Sequence, residues 1–182
     1  MRQFLRILIG VLIIWFGFKS ISQAYAPIQS GLFSQLQYVP FVILIIATIV
    51  ALLLDNKYFK TNHKLYQYII SFIGLTFCGI VTFKFVHNNN IDNSKTLMHI
   101  SNLPGASNVL RFDFKDNGNF RMTKFDKLGQ TIYYGKYLKV NDTINIISTN
   151  NKVEIHNFPQ WGFIENDTMY WYGFDEMIVD KQ

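Results

Sequence analysis

Two runs of nineteen residues without a single charge, Leu36–Leu54 and Leu65–Phe83, constrain this chain more than any other feature. A helix needs about 20 apolar residues to cross a hydrocarbon core of about 30 Å, so both runs are long enough to span a membrane. A third stretch, Ile7–Phe18, is shorter but uninterrupted. It reaches spanning length if the helix continues to Tyr25 with Lys19 snorkelling outward. The alternative is a cleaved signal peptide, with Arg2 and Arg6 before the apolar core and Ala24-Tyr25-Ala26 after it. Pro27 directly after that site and Lys19 ahead of it favour a retained span. The expected spans are therefore 5–25, 36–54 and 65–86, within a transmembrane region 1–87.

Charge divides the chain at the same place. Residues 1–87 hold seven Lys/Arg and one acidic side chain, whereas residues 88–182 hold ten Lys/Arg and eleven acidic ones. The formal charge of +5 thus belongs to the membrane half, and the rest has no electrostatic footprint for a nucleic acid. Lys and Arg collect on the cytoplasmic side of membrane spans. Here Arg2 and Arg6 precede the first span, Ser20 to Asn56 contains neither, and Lys57, Lys60 and Lys64 crowd the 55–64 connection. That distribution puts the N-terminus in the cytoplasm and, after three crossings, the C-terminal half outside; Lys19 and Lys84 run against it. The centres of the spans carry no ionisable group that would mark an ion path. Gly74, Cys78 and Thr82 recur at every fourth position, a small-residue stripe that would let helices pack closely, within one chain or in a homo-oligomer. Cys78 is the only cysteine, so no intrachain disulfide forms. The abundance of Asn, Ile, Lys and Phe suggests an AT-rich bacterial genome, hence a bacterial inner membrane.

Beyond a polar linker at 88–95, residues 96–182 read as an all-β antiparallel meander. Leu110, Phe112 and Phe114 alternate with Arg111, Asp113 and Lys115, the pattern of a half-buried strand. Asn117-Gly118 makes a tight turn into Phe120–Asp126, because both residue types tolerate positive φ. Further strands are expected at Gln130–Val140, Thr143–Ser148, Lys152–His156, Trp161–Ile164, Thr168–Tyr172 and Glu176–Asp180, joined at Asn141-Asp142, Asn150-Asn151 and Asn166-Asp167. About eight short strands in this span suit a small barrel with a filled or ligand-sized interior. The run Leu110-x-Phe112 through Gly118-x-Phe120, then Gly135-x-Tyr137 and Asp142-Thr143-Ile144-x-Ile146, resembles small lipocalin-like β domains of bacterial envelope proteins. That resemblance implies a barrel that binds rather than catalyses, and it transfers no site residue. Membrane helices followed by a barrel are also similar, in architecture alone, to cyclic-nucleotide-gated membrane effectors of anti-phage defence, whose barrels face the cytoplasm.

Catalytic and metal signatures are thin. Neither a nucleophile elbow, a HExxH pair nor a phosphate-binding Gly-rich loop occurs. Glu154 and His156 share one strand face, but two ligands make a poor metal site. The chain is therefore read as a non-enzyme without cofactor or metal. Fourteen aromatic residues in 88–182 are the more unusual feature. Tyr133 and Tyr137 alternate with Ile132, Tyr134 and Leu138, and Met169 to Tyr172 are likewise apolar on both faces. Such strands need two partners, the barrel interior and something else. Tyr133, Tyr137, Trp161, Trp171 and Tyr172 are accordingly the candidate contacts for a protein or small apolar ligand, with Arg111 and Arg121 able to orient it or hold an anion. The expected function is that of a membrane-anchored binding or immunity-type module; the alternative is a nucleotide-sensing defence effector whose helices oligomerise.

Overall fold

The computed structural model describes residues 2–31, 34–62, 65–102, 109–126, 129–149, 160–171 and 177–181. The chain divides into two compact units: Met1–Tyr25 with Gln35–Val86, and Ala26–Ser34 with His87–Gln182. The expected Tyr172 contact and the Lys152–His156 strand lie outside the described residues.

The first unit is built from helices α1 (Arg2–Tyr25), α2 (Val39–Asn62) and α3, which begins at Ile69 and continues to Asn93. All three are long and apolar enough to cross a membrane. Each turns a stripe of buried side chains inward every three or four residues, the helical repeat. On α1 these are Ile9, Ile13, Gly17, Ser20 and Ala24; on α2, Leu44, Thr48, Ala51 and Asp55; on α3, Ser71, Gly74, Val81 and Lys84. Two glycines set the separation: a Cβ on Gly17 would lie 2.5 Å from the Phe77 ring, and one on Gly74 would lie 2.5 Å from Thr48 Oγ1. Bulkier residues there would push the helices apart.

One end of the bundle is fastened by charge. Asp55 is only 1% exposed, and its carboxylate accepts from Arg6 Nη2 at 2.8 Å and from the Ser71 backbone N–H at 3.3 Å and hydroxyl at 2.5 Å. Arg6 also donates to the Gln67 carbonyl at 2.7 Å. A carboxylate at the first turn of α3 satisfies orphan N–H groups and meets the positive end of the helix dipole. The expected 55–64 connection is thus mostly helix, because α2 continues to Asn62 and buries Asp55.

The second unit is a closed barrel of eight antiparallel strands with one extra strand on its edge. Strands β2 (Thr96–Asn102), β3 (Val109–Lys115), β4 (Asn119–Asp126), β5 (Gly129–Val140), β6 (Thr143–Thr149), β7 (Trp161–Glu165), β8 (Thr168–Trp171) and β9 (Met177–Lys181) pair in chain order, and β9 closes on β2. The extra strand, β1 (Ile28–Ser30), comes from the connection between α1 and α2 and pairs with the first part of β5. Gly129 permits this approach: its φ is +152°, and a Cβ there would collide with the Ser30 carbonyl oxygen. At the β7–β8 turn both central residues, Asn166 and Asp167, have positive φ, the geometry that a two-residue hairpin requires. Met98, Ile100, Phe112, Phe114, Phe120, Met122, Ile144, Met169 and Trp171 fill the interior. An eight-stranded barrel is just wide enough for its own side chains, and here aromatic rings take that space.

The run 88–95 is not a linker: α3 continues through it to Asn93. Asparagine is a poor helix former, which is why the run reads as a loop. Tertiary contacts override that preference, since Ile91 packs with Ile28, Ile132 and Tyr134. Strands β1 and β2 were also absent from the sequence reading, and β2 is needed to complete the eight.

Candidate functional site

Residues directly opposite each other in an antiparallel sheet share a face, so the register sorts every barrel side chain into interior or exterior. The exterior contains two contrasting regions.

The first covers β2 to β5 and is polar. His99 pairs with Asp113, Asp113 with Arg121, and Arg121 with Tyr134 across adjoining strands. His99 Nδ1 lies 2.6 Å from Asp113 Oδ1, and Arg111 Nε donates to the same oxygen at 2.9 Å. Arg111 Nη2 also lies 3.0 Å from His99 Nδ1, so the three side chains form one cluster. The last turns of α3 lie over this region. Asp92 accepts from the Tyr134 hydroxyl at 2.7 Å and pairs with Arg121 at 3.5 Å. Lys115, 5% exposed, donates to the Asp92 and Ser94 carbonyls, both at 3.1 Å, and to Thr96 Oγ1 at 3.0 Å. These three bonds use every ammonium hydrogen, and two of them go to carbonyls at the negative end of the α3 dipole.

The second region runs from the latter half of β5 to β8 and is apolar. Leu138, Asn145 and Trp161 form one row across three strands; Val140, Thr143, Phe163 and Tyr170 form the next. Leu138, Val140, Trp161 and Phe163 are exposed, Trp161 at 44%, and the Phe163 and Tyr170 rings stack 5.1 Å apart. Lys136 and Glu165, both exposed, stand beyond the two rows at opposite ends. A bulge opposite Lys136 and Tyr137 turns Ile147 outward as well.

The residues singled out from sequence separate by face. Trp161 stands in the exposed rows. Trp171 is interior, 4% exposed, with its ring 5.4 Å from that of Phe112, and among the described residues its Nε1 has no hydrogen-bond partner. Tyr137 is interior too, edge-on to Phe114 at 4.8 Å, and its hydroxyl donates to the Lys115 carbonyl at 2.7 Å. Burial pushes the pKa of that hydroxyl up, and the negative charge of Asp116 adds to the effect. Tyr133 is half-buried against the same cluster. A partner at the surface cannot grip Tyr137 or Trp171 while the barrel is closed. Arg111 pairs with Asp113 and Arg121 with Asp92. In the bundle, Gly74 and Cys78 both approach Thr48, with Sγ 4.0 Å from Oγ1, whereas Thr82 is exposed.

Sequence reasoning passed over Phe163, Tyr170 and Val140, and the roles of Lys115 and Asp92. The signal for the first group was present: Trp161 and Phe163 alternate with Gly162 and Ile164, and a small residue on one face shifts bulk to the other. Among the described residues no three His, Cys, Asp or Glu side chains gather as a metal site, and Glu154 and His156 lie outside those residues. Comparison with protein-family models, curated proteins and solved structures returns no match.

Proposed function

We propose that this protein is a non-enzymatic, membrane-anchored binding module whose barrel docks a protein partner on the exposed face of β5 to β8. The observation that carries the reading is the pair of adjoining rows with Leu138, Val140, Trp161, Phe163 and Tyr170. Contiguous aromatic and aliphatic side chains with a charged rim are the composition of a protein-binding patch. Small apolar ligands take concave sites, and the barrel interior is filled by its own rings. Tyr and Trp offer large rigid surfaces at little entropic cost, which suits them as anchors.

The proposed orientation has the N-terminus and the 55–64 connection in the cytoplasm and the barrel outside, following the Lys/Arg distribution. Three crossings also deliver the 26–34 connection and residues 94–182 to one side, as the pairing of β1 with β5 requires. An immunity-type module that masks an incoming protein is one concrete form of the proposal.

A photo-crosslinking residue in place of Asn145, between Leu138 and Trp161, is expected to give a discrete protein adduct in intact cells. Phe163→Asp should abolish the adduct without unfolding the barrel. Absence of any adduct, or one unaffected by Phe163→Asp, would reject the docking face. Orientation is read separately in a Cys78→Ser background: Asp142→Cys should react with a membrane-impermeant maleimide in intact cells and Lys60→Cys should not. The reverse pattern would point to a cytoplasmic barrel and the effector alternative.

A further inference from the structure

Helix α1 has two sides of different character. Its inward side carries Ile9, Ile13, Gly17, Ser20 and Ala24, while Gly10 faces Ile70 of α3. Its outward side carries a groove of about 570 Å³ lined by Val11, Ile14, Trp15, Phe18, Lys19 and Ser22. From Val11 to Ser22 the helix rises about 16 Å, at ~1.5 Å per residue. One leaflet of a hydrocarbon core is about 15 Å thick, half of the ~30 Å total. Its apolar part, Val11 to Phe18, rises about 10 Å and so lies along about two thirds of a leaflet, with an ammonium and a hydroxyl from Lys19 and Ser22 towards one end.

We infer that this groove holds a phospholipid with an anionic headgroup, its acyl chain against Val11, Ile14, Trp15 and Phe18 and its phosphate against Lys19 and Ser22. The charge selects this occupant. A lysine on an outward helix face extends towards the headgroups, where a phosphate neutralises it. A second copy of the chain is disfavoured on two counts. A symmetric contact would bring two Lys19 ammonium groups together, and bulky Trp15 and Phe18 occupy a face where close helix pairing needs small residues. Gly17, Ser20 and Ala24 of α1 lie on the inward side.

The test uses the full chain in detergent, with dioleoyl-phosphatidylglycerol and dioleoyl-phosphatidylcholine supplied at equal concentration and retained lipid counted by native mass spectrometry. The wild-type chain should retain the anionic lipid in preference by about three- to fivefold, the scale of one partly screened ion pair. Lys19→Gln should bring the two lipids to parity, and Trp15→Ala should lower retention of both. Lys60→Gln, outside the groove, should leave the preference unchanged. Equal retention by the wild-type chain, or a preference that survives Lys19→Gln, would overturn the inference. So would a dimer that Trp15→Ala dissociates, since a second copy would then fill the groove.

Discussion

The two exterior regions of the barrel share a strand and differ in what covers it. At the start of β5, Ile132 and Tyr134 point outward and are covered by Ile91 at the end of α3 and by Ile28 of β1. Six residues further on, Leu138 and Val140 also point outward and remain exposed. In sequence the two halves look alike, apolar on both faces. A strand of this kind announces a second partner without naming it. For the first half the partner belongs to the same chain and is fixed by Lys115, Arg121 and Tyr134; for the second half we propose that it is another protein.

Substitutions in the two regions should have very different consequences. The largest loss is expected for Trp171→Ala, which empties the barrel interior: about 3–5 kcal/mol of stability, read by denaturant unfolding in detergent. Lys115→Met keeps the apolar stem but orphans the carbonyls of Asp92 and Ser94, and should cost about 2–3 kcal/mol. Its signature is local, with faster amide exchange in the last turn of α3 and at Ile132 and Tyr134. Tyr134→Phe removes the hydroxyl's bond to the Asp92 carboxylate and should cost about 1.5–3 kcal/mol, towards the lower end because Arg121 remains beside Asp92. Tyr137 gives the contrast a pH dependence. Because its hydroxyl pKa is raised in the fold, its contribution is complete below the ordinary tyrosine value of about 10 and is lost as pH rises beyond it. An alkaline melting series should show that loss in the wild-type protein and not in Tyr137→Phe. The smallest effect belongs to Trp161→Ala, within about 0.5 kcal/mol, since its side chain stands at the surface. Two tryptophans ten positions apart should therefore differ several-fold in what their removal does.

Much of this architecture is legible in the residues. Charge-free runs mark the spans, alternation from Leu110 to Lys115 marks β3, and Asn117-Gly118 and Asn166-Asp167 mark hairpin turns. What stays hidden depends on partners distant in sequence. Period-two alternation groups Tyr133 with Tyr137 but cannot tell which face closes inward, so core and surface aromatics look alike. The end of α3 is hidden behind asparagines whose helical state comes from packing on β5. Strand β1 has only three residues and pairs across a hundred positions, beyond any local signal. Arg6 and Asp55 stand 49 positions apart, and only the fold shows that they meet.

One exterior region of the barrel is closed by the chain itself, and we propose that the other is closed by a partner. Hydroxyl-radical footprinting tests it directly, comparing the purified protein with the protein in its native membranes. Oxidation of Trp161, Phe163 and Tyr170 should be high in the purified protein and fall sharply in native membranes, while Tyr134 and Trp171 stay protected in both. Equal oxidation of Trp161 in the two preparations, or oxidation of Tyr134 as strong as that of Trp161, would contradict the account.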